Sequence, residues 1–270
     1  MNQNKMINVI VPTLGTRVEE IKRLLNSLEN QSYKNINVII ISQDNHNVIE
    51  NILRGYKLEL KHIKLEKKGL SYARNQGLEF VKSGIITFSD DDCWYPENAF
   101  EKVIKKFKNN DVSALSFQIY DPEVQKFYKE YPMDSIKVLN FREVLKISSI
   151  EFFINLNEFD REDLIFDERF GLGTNYPSGE ENILLVDLLK KKYKISYINE
   201  IIVFHKKKDQ GSNVINSRTF IGKGPLFKRM KGTVPGIGML TIFLINKFNS
   251  IERPIYSFGK SLSELITFKR

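Results

Sequence analysis

The stretch that decides the fold is "GIITFSDDDCWYPENAF", Gly84 to Phe100. Five residues, Ile85 to Ser89, read as a buried strand. They run straight into Asp90-Asp91-Asp92, and a proline soon starts the helical pattern "PENAFEKVIKKFKNN". A buried strand ending in stacked negative charge needs a positive partner there, because adjacent carboxylates repel each other and desolvate badly. Working outward, "INVIVPT" and "INVIIISQDN" are near-continuous apolar strands, and "LKHIKLE" alternates as a strand. Between them, "RVEEIKRLLNSLENQ" places Ile21, Leu24, Leu25 and Leu28 at helical spacing. "NVIENILRGY" and "GLSYARNQGLEFVKSG" read as further helices. Strands alternating with helices predict an α/β fold, a doubly wound and mainly parallel sheet with helices on both faces.

Downstream the pattern is less regular. "VSALSFQIYDP" and "SIEFFINLNEF" read as strands, and residues 121–150 are mixed. "PSGEENILL" starts a helix, and "YKISYI" and "IIVFH" read as two short strands. After Lys206, glycines and lysines interrupt the pattern. "VPGIGMLTIFLINKF" is an apolar stretch suited to a core helix or an interfacial one.

Composition bounds the function. The 270 residues suffice for one large α/β domain or one domain plus a smaller unit. The single cysteine, Cys93, excludes an intramolecular disulfide framework and a cysteine-based zinc site and suits a reducing compartment. The start, "MNQNKMINVIVPT", has no signal-peptide core, and no apolar run is long enough to span a bilayer, so a cytoplasmic protein is expected. The net charge of +8 is uneven: residues 206–270 hold thirteen Lys/Arg against three Asp/Glu, leaving the first 205 at 28 against 30. A basic tail on a near-neutral body suits nucleic acid, an anionic membrane surface or a phosphate-bearing ligand, or is simply solvated.

In a doubly wound sheet, ligands bind outside the carboxyl ends of the strands. Here three such ends are polar: "PTLGTR", "SQDN" and "SDDD". Together they offer a backbone turn, side chains able to read a base, and an acidic cluster. If strand alternation continued, Asp90 and Asp92 would share a side and Asp91 would point away. That pair could hold Mg²⁺ or Mn²⁺, hard cations that take oxygen ligands and substrate phosphates. A helix N-cap role would account for Asp92 but not for all three acids.

The order "VIVPT", "SLENQSY", "GLSYARNQG", "SDDDCWYP" and "SGEE" resembles the family-two glycosyltransferases of GT-A fold over residues 7 to about 205, and most of all bacterial members that build surface polysaccharides. The resemblance implies an inverting transfer of a sugar from a nucleotide diphosphate to an acceptor hydroxyl, with a divalent metal held by the acidic motif. It implies that Pro12 and Thr13 line the base and ribose. Leu14 stands where a tyrosine often stacks on uracil, and Ser42-Gln43 where an acidic pair is usual, with Asp44 next. Gln43 can accept from a pyrimidine N3–H, so reading of a pyrimidine base is expected, with UDP ahead of dTDP as the resemblance implies. Arg17 and Arg74 face the nucleotide, Gly69 and Asn75 shape a loop, Asp90 and Asp91 contact ribose or sugar, and Asp92, Asp90 and His205 hold the metal. The family's usual Glu-Asp pair is Glu180-Glu181 here; Glu181 is favoured as the base and Glu180 as a sugar or acceptor contact.

The expected organisation is a GT-A catalytic domain over 1–205, with a nucleotide-binding half to about 105 and an acceptor half from about 106, then a basic C-terminal extension over 206–270. Donor-sugar specificity is expected from 110–175. Partners would be a nucleotide sugar, a glycan or lipid-diphosphate-linked acceptor, and through 206–270 an anionic membrane surface. Trp94 and Tyr95 suit either an acceptor-side platform or the core, and Cys93 suits packing. Two rivals fit less well. A sugar nucleotidyltransferase would want a glycine-rich loop and lysine after the first strand, and "PTLGTR" has one glycine and no lysine. A nucleic-acid-binding protein would interleave its basic residues with a recognition module, so no nucleic-acid partner is expected.

Overall fold

The computed structural model describes residues 5–207 and 214–270; residues 208–213 of the basic tail, with Lys208, lie outside them. The chain forms two compact units. One comprises Met1–Lys68, Tyr72–Ile165 and Leu188–Lys207, the other Gly69–Ser71, Phe166–Asp187 and Lys208–Arg270.

The first unit is built on an eight-stranded sheet. Its strands are β1 (Ile7–Thr13), β2 (Ile36–Ser42), β3 (Glu59–Lys64), β4 (Ile85–Phe88), β5 (Ala114–Asp121), β6 (Lys126–Phe127), β7 (Phe152–Asn155) and β8 (Ile195–Phe204). The path runs β3-β2-β1-β4-β7-β5-β6, and β8 also pairs with β5. β1 is parallel to β2 and β4, β2 to β3, and β5 to β8. β7 enters antiparallel between β4 and β5. The readings "YKISYI" and "IIVFH" belong to one ten-residue strand. Its path past Asn199 and Glu200 is absorbed by two register shifts against β5.

The intervening helices are α1 (Val18–Glu29), α2 (His46–Leu53), α3 (Leu70–Leu78), α4 (Ala99–Asn109) and the short α5 (Phe141–Val144). Alternation along β1 sends Ile7, Val9 and Val11 to one face, where they share a core with Leu24 and Leu28 of α1 and Phe100 and Val103 of α4. Each fully buried Leu or Ile on α1 contributes about 2 kcal/mol. Ile10 and Ile41 point the other way, against Gly77 of α3. Helices therefore cover both faces, and the expected GT-A-like α/β architecture is met.

The second unit contains the loop 166–179, most of α6 (Glu180–Lys190) and four helices: α7 (Ser217–Ile221), α8 (Lys223–Lys231), α9 (Thr233–Lys247) and α10 (Pro254–Thr267). Two of the glycines that interrupt the sequence pattern, Gly224 and Gly236, are points of close helix approach. A Cβ on Gly224 would lie 2.2 Å from the Ser261 carbonyl oxygen of α10, and one on Gly236 3.0 Å from the Lys228 backbone nitrogen. Arg229 of α8 reaches Asp167 Oδ2 at 2.9 Å and Asp187 Oδ2 at 2.8 Å, joining three segments of this unit.

Candidate functional site

In the first unit, β1, β2 and β4 stop side by side and leave three loops at their carboxyl ends. The strand reading of the acids does not hold. β4 ends at Phe88, and the chain bends through Asp90–Cys93, with the Cys93 N–H donating to the Asp90 carbonyl at 3.4 Å. Alternation therefore fails, and Asp91 is grouped with Asp92. Arg17 Nη1 reaches both, lying 3.2 Å from Asp91 Oδ1 and donating to Asp92 Oδ2. Thr13 Oγ1 donates to Asp91 Oδ2 at 2.7 Å and accepts from the Gly15 N–H at 2.9 Å. Burial raises the pKa of Asp91, against the pull of Thr13 and Arg17. Asp90 instead accepts from Arg74 Nη2 at 3.3 Å. Arg74 is fully buried and also donates to Ser149 Oγ at 2.9 Å, so it is part of the interior.

His205, at the end of β8, brings its Nε2 to 3.2 Å from Asp92 Oδ1. Its Nδ1 lies 2.7 Å from the Lys206 carbonyl, which can only accept, so Nδ1 carries a proton. A neutral imidazole then turns the Nε2 lone pair towards a carboxylate lone pair, and the contact needs a cation: a second proton or a metal. Burial works to lower His205, but the hydrogen bond and charge of Asp92 outweigh it and raise the pKa. Burial likewise works to raise Asp92, and His205 and Arg17 hold it below the usual carboxylate range. One oxygen and one imidazole nitrogen are the kind of donors that would suit a divalent ion, which would take its remaining ligands from substrate phosphate and water. Among the described residues, no group of three or more His, Cys, Asp and Glu is placed to hold a metal.

The residues expected to meet the base lie at the carboxyl ends of β1 and β2 and on the loops after them. Pro12 and Thr13 are buried and Leu14 is 43% exposed. Gln43 is buried, its N–H donates to the Thr13 carbonyl at 2.9 Å, and its Nε2 donates to the Lys67 carbonyl at 2.8 Å, which orients the amide. Asp44 is exposed and ion-paired with Lys68, whose hydrogen bond lowers its pKa. Lys206 is ion-paired with Glu123 at 2.9 Å. Tyr95 and Cys93 are buried core residues, and burial pushes the Cys93 thiol far up, which suits packing.

In the second unit, Gly179 takes a left-handed φ of +93°, and a Cβ there would lie 2.5 Å from Leu226 of α8. The turn that starts α6 is thus pressed onto α8. Glu180 is buried beside Gly171, whereas Glu181 is half-buried. Lys223, one turn before Leu226, donates to Ser178 Oγ at 3.1 Å. Burial lowers the Lys223 pKa, and the charges of Glu181 and Glu180 act against that shift. Gly69 also belongs to this unit, where the neighbouring Leu70 N–H donates to the Leu172 carbonyl at 3.0 Å.

Sequence reasoning missed three groups. Lys223 had one usable signal, a lysine between two glycines in "FIGKGP". Arg23 donates to the Asp92 carbonyl at 3.0 Å and stacks over Trp94 at 3.8 Å, and Tyr128 packs edge-on against His205 at 5.0 Å. Neither pairing has a local signature.

A family model described as Glycosyl transferase family 2 matches residues 8–166, more than half of the chain. The chain belongs to glycosyl transferase family 2. It is 24% identical over 209 residues to the glycosyltransferase GlyA of Streptococcus pneumoniae, covering 72% of this chain and 29% of that protein. It is 22% identical to the GalNAc(5)-diNAcBac-PP-undecaprenol beta-1,3-glucosyltransferase of Campylobacter jejuni, over 69% of this chain and 60% of that one. The chain spans only about three tenths of the length of GlyA. Among solved structures, S. aureus TarS 1-349 in complex with UDP-GlcNAc superposes with a TM-score of 0.66 at 18% identity, covering 96% of this chain and 77% of that one. That likeness shows the family-2 chain to share the TarS fold.

Proposed function

We propose that this chain is a metal-dependent, inverting glycosyltransferase. It would move a sugar from a pyrimidine nucleotide diphosphate sugar, UDP ahead of dTDP, to a hydroxyl of a glycan or lipid-diphosphate-linked acceptor in bacterial surface-polysaccharide synthesis. It would work on the cytoplasmic side of the membrane, with residues 206–270 towards the anionic surface. The observation that carries this reading is the Asp92–His205 contact beside the loops of β1 and β4, an oxygen and an imidazole nitrogen whose pairing either a second proton or a divalent metal would satisfy. The UDP-GlcNAc bound by TarS and the undecaprenyl-linked saccharide in the name of the Campylobacter jejuni relative support the donor and acceptor classes.

Asp92 and His205 would hold Mn²⁺ or Mg²⁺, which supplies Lewis-acid charge to the leaving diphosphate. Arg17 holds Asp91 and Asp92 in place, and Arg74 does the same for Asp90. Thr13, Leu14 and Gln43 meet the nucleoside. Glu181, the more accessible of its pair, takes the proton of the acceptor hydroxyl as that oxygen attacks the anomeric carbon opposite the diphosphate. Glu180, buried against Gly171, fixes the turn and contacts the sugar.

The test is a transfer assay with UDP-sugars and a lipid-diphosphate saccharide, with NMR of the product anomer. Inversion is expected, and Glu181→Gln should lower kcat by about 10²- to 10⁴-fold. A retained anomer, or full activity in Glu181→Gln, would overturn the assignment.

A further inference from the structure

α9 carries no charged residue from its start at Thr233 to Asn246. Its inner face is the side of Gly236, Leu240 and Phe243, the last packing at 5.8 Å from Phe220 and 6.0 Å from Phe227. The opposite side is also apolar. Val234 is 80% exposed, Ile242 61% and Ile245 69%, and a Cβ on Gly238 would meet nothing within 4 Å. At 3.6 residues per turn these positions, continued by Phe248, form one stripe about 120° wide. A helix apolar on both sides belongs in a core or at a lipid boundary, and this outer stripe is in no core. Fifteen residues make a helix of about 22 Å, too short to cross a bilayer. No helix among the described residues is long and apolar enough to cross one.

The surroundings select the partner. Exposed Lys231 and Lys247 flank the helix, and exposed Arg253 and Lys260 follow. Residues 214–270 hold ten Lys/Arg against two Asp/Glu. A second copy of the chain would bring that same positive charge against itself, whereas an anionic surface complements it.

We infer that α9 lies in the plane of an anionic lipid bilayer, with Val234, Ile242, Ile245 and Phe248 in the headgroup–acyl boundary and the flanking lysines among the headgroups. This deepens the reading of 206–270 as the membrane-facing segment and rests on it for its biological setting. The stripe and its charge are independent of the donor chemistry.

The experiment is flotation of the full chain with vesicles of phosphatidylcholine alone and of phosphatidylcholine with 30% phosphatidylglycerol. Binding to the anionic vesicles at low salt is expected, with at least a tenfold loss in 0.5 M NaCl or on neutral vesicles. Ile242→Glu/Ile245→Glu should lower the partition at least tenfold while its unfolding temperature and its shift with UDP and Mn²⁺ stay as in the parent. The inference is overturned if the parent does not float, if the double variant floats equally well, or if light scattering shows a dimer that the double variant dissolves. Loss of the UDP shift in the parent would count against the proposed donor and leave the vesicle result standing.

Discussion

At the residue scale, the contact that organises the donor side is one oxygen facing one nitrogen, Asp92 Oδ1 and His205 Nε2. Its partners explain why the three aspartates are not equivalent: Asp90 answers to Arg74, Asp91 to Thr13 and Arg17, and Asp92 to Arg17 and His205. The cluster stood out in the sequence as stacked charge in need of a positive partner, but its wiring could not be read, because strand alternation was extended into a segment that bends. Lys223 is the residue with the most specific consequence. Burial lowers its own pKa while the charges of Glu181 and Glu180 oppose that shift, and it donates to Ser178 Oγ at the turn that starts α6, which marks it as a candidate positioning residue for the proposed base. Removing that positive charge in Lys223→Met should move the acidic limb of the kcat/KM profile to higher pH, and Lys223→Arg should restore much of it. A fall in rate with an unmoved profile would mean that Lys223 only packs.

At the element scale, the segment 121–151 is where the sequence was least legible. Its order comes from polar groups meeting across long separations rather than from periodicity. Glu151, 1% exposed, accepts from Lys129 Nζ at 2.6 Å and Tyr131 Oη at 2.7 Å beside a cavity of about 310 Å³. Burial raises the Glu151 pKa, and Lys129 opposes that. Lys129→Met therefore strands a buried carboxylate and should cost about 3 kcal/mol near neutral pH. A raised folded pKa favours folding only while the group is protonated, so urea melts of the variant should show a larger deficit at pH 8 than at pH 5. A deficit that does not change with pH would mean that Glu151 is not the stranded group. The four strands that build the donor side were legible as elements because each is an almost unbroken apolar run or a clean alternation. Of the C-terminal helices α9 was legible as an apolar helix, whereas α7 and α8 were not, since Gly222 and Gly224 read as breaks. Gly224→Ala should destabilise by about 1–3 kcal/mol, because a Cβ meets the Ser261 carbonyl rather than a yielding side chain.

At the scale of the whole molecule, the proposed duties divide by unit: donor recognition would belong to the strand ends of the first unit, and the proposed base, Glu181, and the proposed lipid-facing helix, α9, belong to the second. The family and the α/β class were legible from "VIVPT", "ARNQG" and "SDDDCWYP", whose residue types answer to local needs of strand, turn and charge. The grouping of residues 166–187 with the C-terminal helices was not, because it rests on Arg229 reaching both Asp167 and Asp187. The central claim is that a nucleotide diphosphate and a divalent cation bind together at Asp92 and His205. Thermal unfolding with UDP, with Mn²⁺, and with both tests it most directly. The account predicts a rise in unfolding temperature with both that exceeds the sum of the separate shifts, and its loss in His205→Ala and Asp92→Ala. Equal stabilisation by UDP in EDTA, unchanged in His205→Ala, would contradict it.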